Sequence, residues 1–154
     1  MNLFIRQAEL SDPLILNLIH ELDNYQSELY PEESNHLDSP EELVESDAYF
    51  VAGFVDDRPV GIGAIKVFEA EGYAEIKRVY VNPAKRGLGI SKQIMQVLED
   101  HARDQGCCSL MLETGIHQPE AIGLYERLGY QFRKCFGDYP ADDPLSVFME
   151  KNLV

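Results

Sequence analysis

The segment VYVNPAKRGLGIS, residues 79–91, is the part of this sequence best equipped for chemistry. A β-rich run ends in a loop bearing Asn82, Pro83, Gly87 and Gly89, and an apolar-periodic stretch begins at Ile90. The first turn of a helix leaves four N–H groups without intrahelical acceptors, and the helix dipole adds partial positive charge there. Gly87 and Gly89 carry no side chain, so a ligand can approach the backbone closely. Lys85, Arg86 and Lys92 place cations beside the same turn. Together these features predict an anion site suited to a pyrophosphate. Two familiar phosphate loops do not fit. A Walker loop ends Gly-Lys-Ser/Thr, whereas this one reads Gly89-Ile90-Ser91. A dinucleotide fingerprint needs a third glycine in register and an acid about 20 residues on. The plain alternative is a helix start that carries basic residues.

The elements that must position this loop follow from periodicity. LFI at 3–5 reads as a strand. Ser11 offers an N-cap, with Asp12 and Pro13 in the first turn, for a helix over about 12–28 whose apolar residues are Leu14, Ile15, Leu18, Ile19 and Leu22. PEEL at 40–43 starts a short second helix. Strands at 48–55, 60–68 and 73–81, separated by the turns DDRP and AEG, form an antiparallel meander. Ile90, Ile94, Val97, Leu98, His101 and Ala102 make one helix, stopped by Gly106. CSLMLET (108–114) is a buried strand, 119–129 a helix, and 130–136 and 145–153 are strands. The strand-loop-helix-strand unit at 73–114 requires a parallel crossover. The expected architecture is α/β (α+β), a mixed sheet with helices on both faces in a single domain over 1–154.

The chain has 154 residues, 27 Asp+Glu against 13 Lys+Arg, and a net charge of −14. That sign argues against nucleic acid or an anionic membrane as partner, because both are polyanions. The charge is unevenly placed. Residues 7–57 hold 14 acids and no Lys or Arg, whereas 76–92 hold five basic residues and no acid. No apolar run reaches the ~18 residues of a membrane span. The N-terminus has no basic region followed by an apolar one, so no signal peptide is expected. Cys107, Cys108 and Cys135 are expected to be free thiols in a reducing cytoplasm. The four histidines show no ligand spacing, so no metal is expected.

RGLGIS (86–91) resembles motif A of the GNAT superfamily of acyl-CoA-dependent N-acyltransferases, Arg/Gln-x-x-Gly-x-Gly/Ala. Arg86 and Gly89 match, and Ser91 departs from the usual Gly or Ala. The preceding VNP (81–83) is similar to the family's strand-end Val-x-Pro, and EAIGLYERLGYQF (120–132) to its second signature, Ala-x-x-Leu-Tyr-x-x-Leu-Gly-Phe/Tyr. LYPEESNHL (29–37) and ETGIHQPEA (113–121) are similar to a branch of small bacterial acetyltransferases. The resemblance implies a mostly antiparallel sheet of six to seven strands with one parallel βαβ crossover. It also implies acetyl-CoA as co-substrate, with CoA as product.

By that resemblance, the backbone from Gly87 through Leu88, Gly89 and Ile90 to Ser91 would hold the CoA pyrophosphate, with Arg86 beside it. The strand carrying Val79, Tyr80 and Val81 would lie along the pantetheine arm, as in strand addition to an open edge. Gln118 and Ala121, with His117, would lie near the same arm, where family members often carry Asn. Glu75 is the base candidate, because an ammonium must lose a proton before it can attack. Its alternative is a surface residue paired with Lys77 on one face of the strand. Tyr125 is the acid candidate, donating to the departing thiolate. Its alternative is aromatic packing between helix and sheet.

Family acceptor sites are built from segments equivalent to 22–37 and 136–144. Here these, with the adjacent Asp38, carry Glu28, Glu32, Glu33, Asp138, Asp142 and Asp143, with Tyr25, Tyr30, Phe136 and Tyr139. One hypothesis is a cationic small-molecule amine bound against aromatic faces. The alternative is a solvated acidic surface. The leading reading is an N-acetyltransferase acting on a primary amine by direct attack in a ternary complex. A longer acyl-CoA and a non-catalytic CoA-binding or sensor domain stay open. The family commonly dimerises through its C-terminal strands.

Overall fold

The computed structural model describes residues 2–154. Its elements are β1 (Leu3–Gln7), α1 (Pro13–Leu29), α2 (Pro40–Glu45), β2 (Tyr49–Val55), β3 (Arg58–Phe68), β4 (Tyr73–Val81), α3 (Ile90–Asp104), β5 (Ser109–Gly115), α4 (Pro119–Arg127), β6 (Gln131–Arg133) and β7 (Ser146–Asn152). All seven strands form one sheet, in the order β1-β2-β3-β4-β5-β7-β6. Every pairing is antiparallel except that of β4 with β5. This is the expected mixed sheet with one parallel crossover.

Helices cover both faces. Ile90, Ile94, Met95, Leu98 and Ala102 of α3 pack on one side with Ala74, Ile76, Val81, Leu110 and Leu112. Ile15, Leu18, Ile19 and Leu22 of α1 pack on the other with Phe50, Ala52, Ile62, Ala64 and Tyr80. Double coverage explains why β2 and β3 read as near-continuous apolar runs rather than alternating ones.

Several boundaries differ from the expectation. Asp12, not Ser11, caps α1: its Oδ1 accepts from Leu14 N at 2.9 Å. β1 runs two residues further, because Arg6 and Gln7 continue the ladder opposite Ala52 and Val51. α4 ends at Arg127, before Gly129 at φ +97°. The strand expected over 130–136 is only three residues long, because only Gln131–Arg133 find partners on β7.

Two irregularities in β4 shape the molecule. Ile62 pairs with Tyr80 and Ala64 with Lys77, so Gly63 faces both Arg78 and Val79. Arg78, at φ +54°, is the extra residue of a β-bulge. The bulge reverses the alternation. Before it Ala74 and Ile76 face α3, and after it Val79 and Val81 do so. Glu75 therefore does not share a face with Val79 and Val81. The second irregularity is the short ladder with β5. Only Tyr73–Glu75 pair, with Ser109–Met111. Beyond Glu75 the two parallel strands separate, and the β5-side edge of β4 is open.

Candidate active site

The groove for an anionic ligand starts where β4 ends. The Asn82 side chain accepts from Ala84 N at 2.9 Å, turning the chain into a short 3-10 segment at Pro83–Lys85. Gly87 and Gly89 follow at φ +81° and +77°. No atom lies within 4 Å of where a Cβ would stand at either residue, so both present open backbone. Gly89 caps α3 without a side-chain hydrogen bond. The first-turn N–H groups of α3 therefore have no side-chain competitor for an anion. Arg86 Nε donates to Val81 O at 3.2 Å, and its guanidinium lies 5.8 Å from the Tyr80 ring.

Val79, Tyr80, Val81, Arg86 and Ser91 line one wall of this groove, with Gln118, Ala121 and Tyr125 opposite. Eight of the expected cofactor residues thus come together. Gly87, Leu88 and Gly89 are exposed in the loop. The Ile90 side chain is buried in the core, which leaves only its backbone for a ligand.

A second cavity continues from the groove. Leu22, Val79, Gln118, Ala121 and Tyr125 belong to both. Its further walls include Tyr30, His36, Lys77, Glu113 and Tyr139. Tyr125, from α4, therefore stands where the two spaces meet. Burial raises its phenol, and the nearby Glu113 charge adds to this, so it stays protonated.

Glu75 lies in a polar cluster beside this cavity. Its Oε2 accepts from the Tyr139 hydroxyl and lies 3.1 Å from Lys77 Nζ. Lys77 Nζ also donates to Tyr139 at 2.7 Å and lies 3.3 Å from Asp38. The pairing with Lys77 is the one expected from strand spacing, but it is buried rather than at the surface: Glu75 is 5 % exposed. Burial alone would raise the Asp38 carboxyl, but Lys66 and Lys77 hold it below its ordinary value. Asp143 is held by His36, Ser34 and Leu145 N. Arg78 pairs with Asp23 at 2.7 Å and donates to Asp38 O. Of the acids expected at the acceptor end, Glu28, Glu32, Glu33, Asp138 and Asp142 are exposed.

Glu113 is the residue that the sequence reading did not single out. Leu110 and Leu112 enter the core, so Glu113 alternates to the other face of β5, where Ser146 Oγ donates to its Oε2 at 2.9 Å. Burial raises its carboxyl to about 7; the Ser146 hydrogen bond and the charges of His36 and Lys77 oppose this, and Glu75 reinforces it. The available signal was an acid directly after the apolar run LML within the strand SLMLETG. Tyr30 closes the cavity: its hydroxyl donates to Gln118 Oε1 and accepts from His117 N, both at 3.1 Å, and its ring stacks on His117.

Comparison with known proteins agrees with this architecture. The family model "Acetyltransferase (GNAT) family" matches residues 15–130. An Azospirillum brasilense protein named IAA acetyltransferase is 43 % identical, covering 96 % of this chain and 95 % of that protein. The crystal structure of a Klebsiella pneumoniae protein assigned as an acyl-CoA N-acyltransferase superposes with a TM-score of 0.83 at 38 % identity, covering 99 % of this chain and 98 % of that one. The PaiA N-acetyltransferase of Thermoplasma acidophilum, solved in complex with coenzyme A, has a TM-score of 0.78 at 19 % identity, covering 99 % of each chain. That likeness is one of fold.

Proposed function

The chain belongs to the acetyltransferase (GNAT) family, and from that premise we propose that it transfers an acetyl group from acetyl-CoA to a primary amine of a small molecule. The observation that carries this reading is the continuity of groove and cavity through Tyr125. A donor in one space and an acceptor in the other meet without a covalent enzyme intermediate.

The backbone from Gly87 to Ser91 would hold the pyrophosphate, with Arg86 beside it. The open edge of β4 at Val79–Val81 would pair with the pantetheine amides, and Gln118 and Ala121 would flank them. Bound there, acetyl-CoA supplies an activated thioester. Tyr125 keeps its proton and offers a hydrogen-bond donor to negative charge developing on sulfur. Glu75 holds Lys77 and Tyr139, and through them the floor of the cavity. The exposed acids of the rim would draw in a cationic amine from solution. Exposed Cys108 and half-buried Cys135, both free, fit a reducing cytoplasm.

The test is a melting scan with acetyl-CoA followed by thiol release across a panel of amines. Stabilisation by acetyl-CoA is expected by mass action. An unchanged melting temperature at saturating acetyl-CoA overturns the reading.

A further inference from the structure

We propose that Glu113 receives the acceptor ammonium and removes its proton. The inference rests on the N-acetyltransferase reading and adds the residue that prepares the nucleophile. The β4–β5 ladder ends at Glu75 and Met111, two residues before Glu113. Glu113 therefore sits on the part of β5 that has separated from β4, beside the gap through which the groove opens into the cavity. It lines that cavity together with Tyr125. The groups whose charge or polarity reaches it are His36 from the segment before α2, Glu75 and Lys77 from β4, Tyr30 at the end of α1, Tyr125 from α4, Tyr139 from the loop before β7, and Ser146 from β7.

The bonding of the acids separates their roles. Glu75 is committed to Lys77 and Tyr139, Asp38 to Lys66 and Lys77, and Asp143 to His36. Among the described residues, Glu113 is the carboxyl of this cluster without an ion pair. Its Oε2 accepts one hydrogen bond, from Ser146, and its other oxygen is free to accept from an ammonium. A base with a pKa near the working pH is ionised often enough to accept a proton and basic enough to hold it. Burial brings Glu113 to that range.

The ammonium R–NH3+ gives one proton to the Glu113 carboxylate and becomes R–NH2. Its nitrogen forms the C–N bond to the acetyl carbon as the C–S bond breaks. The second nitrogen proton passes to the sulfur as CoA leaves as a thiol, and Glu113 releases its proton to solvent. One proton is released per turnover.

The experiment has two arms. In the first, the protein is labelled with 13C at the glutamate carboxyls and titrated, and the Glu113 resonance is assigned by its absence in Glu113→Gln. A midpoint near 7 is expected; a midpoint in the ordinary carboxylate range overturns the inference. In the second, spermidine, tyramine and glycinamide serve as acceptor probes. Glu113→Gln is expected to lower kcat about 100-fold or more, to abolish the acid limb of kcat/KM, and to leave the acetyl-CoA Kd unchanged. Wild-type turnover that survives in Glu113→Gln with its acid limb intact sinks this inference alone. Absence of thiol release by the wild type with all three probes counts against the N-acetyltransferase reading on which it rests.

Discussion

Tyr30 and Gly115 share one volume: a Cβ on Gly115 would stand 1.8 Å from the Tyr30 hydroxyl oxygen. The end of α1 can therefore close on the end of β5 only while residue 115 has no side chain. This contact places the Tyr30 hydroxyl between Gln118, on the groove, and His117. Gly115→Ala is expected to displace Tyr30, cost about 1–3 kcal/mol of overpacking strain, and raise KM for the amine. Tyr30→Phe keeps the ring and removes both hydrogen bonds. Denaturant melts of the two variants should differ, with Gly115→Ala the less stable.

Glu113 links function to pH-dependent stability. Its folded value, about 7, lies above its ordinary 4.5. Between those values the folded state holds the proton and the unfolded state does not. The contribution to stability is therefore full below about pH 4.5 and is lost as pH rises through 7. At pH 8.5 the buried charge should cost on the order of 3 kcal/mol. Glu113→Gln should be more stable than wild type at pH 8.5, with the advantage fading by pH 4. Parallel stability curves across that range would contradict this.

Arg86 and Gly89 should separate charge from backbone geometry. Arg86→Ala is expected to weaken acetyl-CoA binding about tenfold, the loss of roughly one charge-assisted hydrogen bond, and to flatten the salt dependence of Kd. Gly89→Ala meets no atom within 4 Å but must hold φ +77°. Its cost in stability should be about 1–2 kcal/mol. Calorimetric titration and chemical denaturation check the pair.

Tyr125→Phe should lower kcat about 100-fold while leaving acetyl-CoA affinity within twofold, because the ring still packs on Tyr130. Loss of affinity without loss of kcat would assign the hydroxyl to binding instead.

Glu99 tests stability away from the site. It is 3 % exposed and accepts from Tyr130 at 3.1 Å and Lys151 at 2.9 Å, with Arg103 at 3.8 Å. Glu99→Ala strands those partners and should cost about 3–5 kcal/mol. Acetyl-CoA Kd, measured on the folded protein, should not move.

Much of the fold was legible because it is encoded between near neighbours. Apolar spacing drew α1 and α3, and the glycines of 82–91 marked the open loop between β4 and α3. Cap choice and strand ends were less legible. Ser11 and Asp12 are both competent caps, and only the backbone geometry selects Asp12. Residues 130–136 have strand character throughout, but β7 offers partners to only three of them.

The site divides in the same way. Sequence alone singled out the glycine loop, Arg86, the strand at 79–81 and Tyr125 as candidates, because these lie in local motifs, whereas the open edge of that strand came with the short β4–β5 ladder. Tertiary structure decided the partners of the carboxylates. The bulge at Arg78 turns Val79 and Val81 to the face opposite Glu75 and Lys77, and Tyr139, 64 positions further on, completes the bonding of Glu75. The separation of β4 from β5 leaves Glu113 facing a cavity, with Ser146 as its one hydrogen-bond donor among the described residues. Whether a carboxylate is a paired ion or a free base depends on what burial removes and which cations remain within reach. Strand spacing records Lys77 beside Glu75, but Tyr139 and Ser146 come from distant positions that no local spacing records.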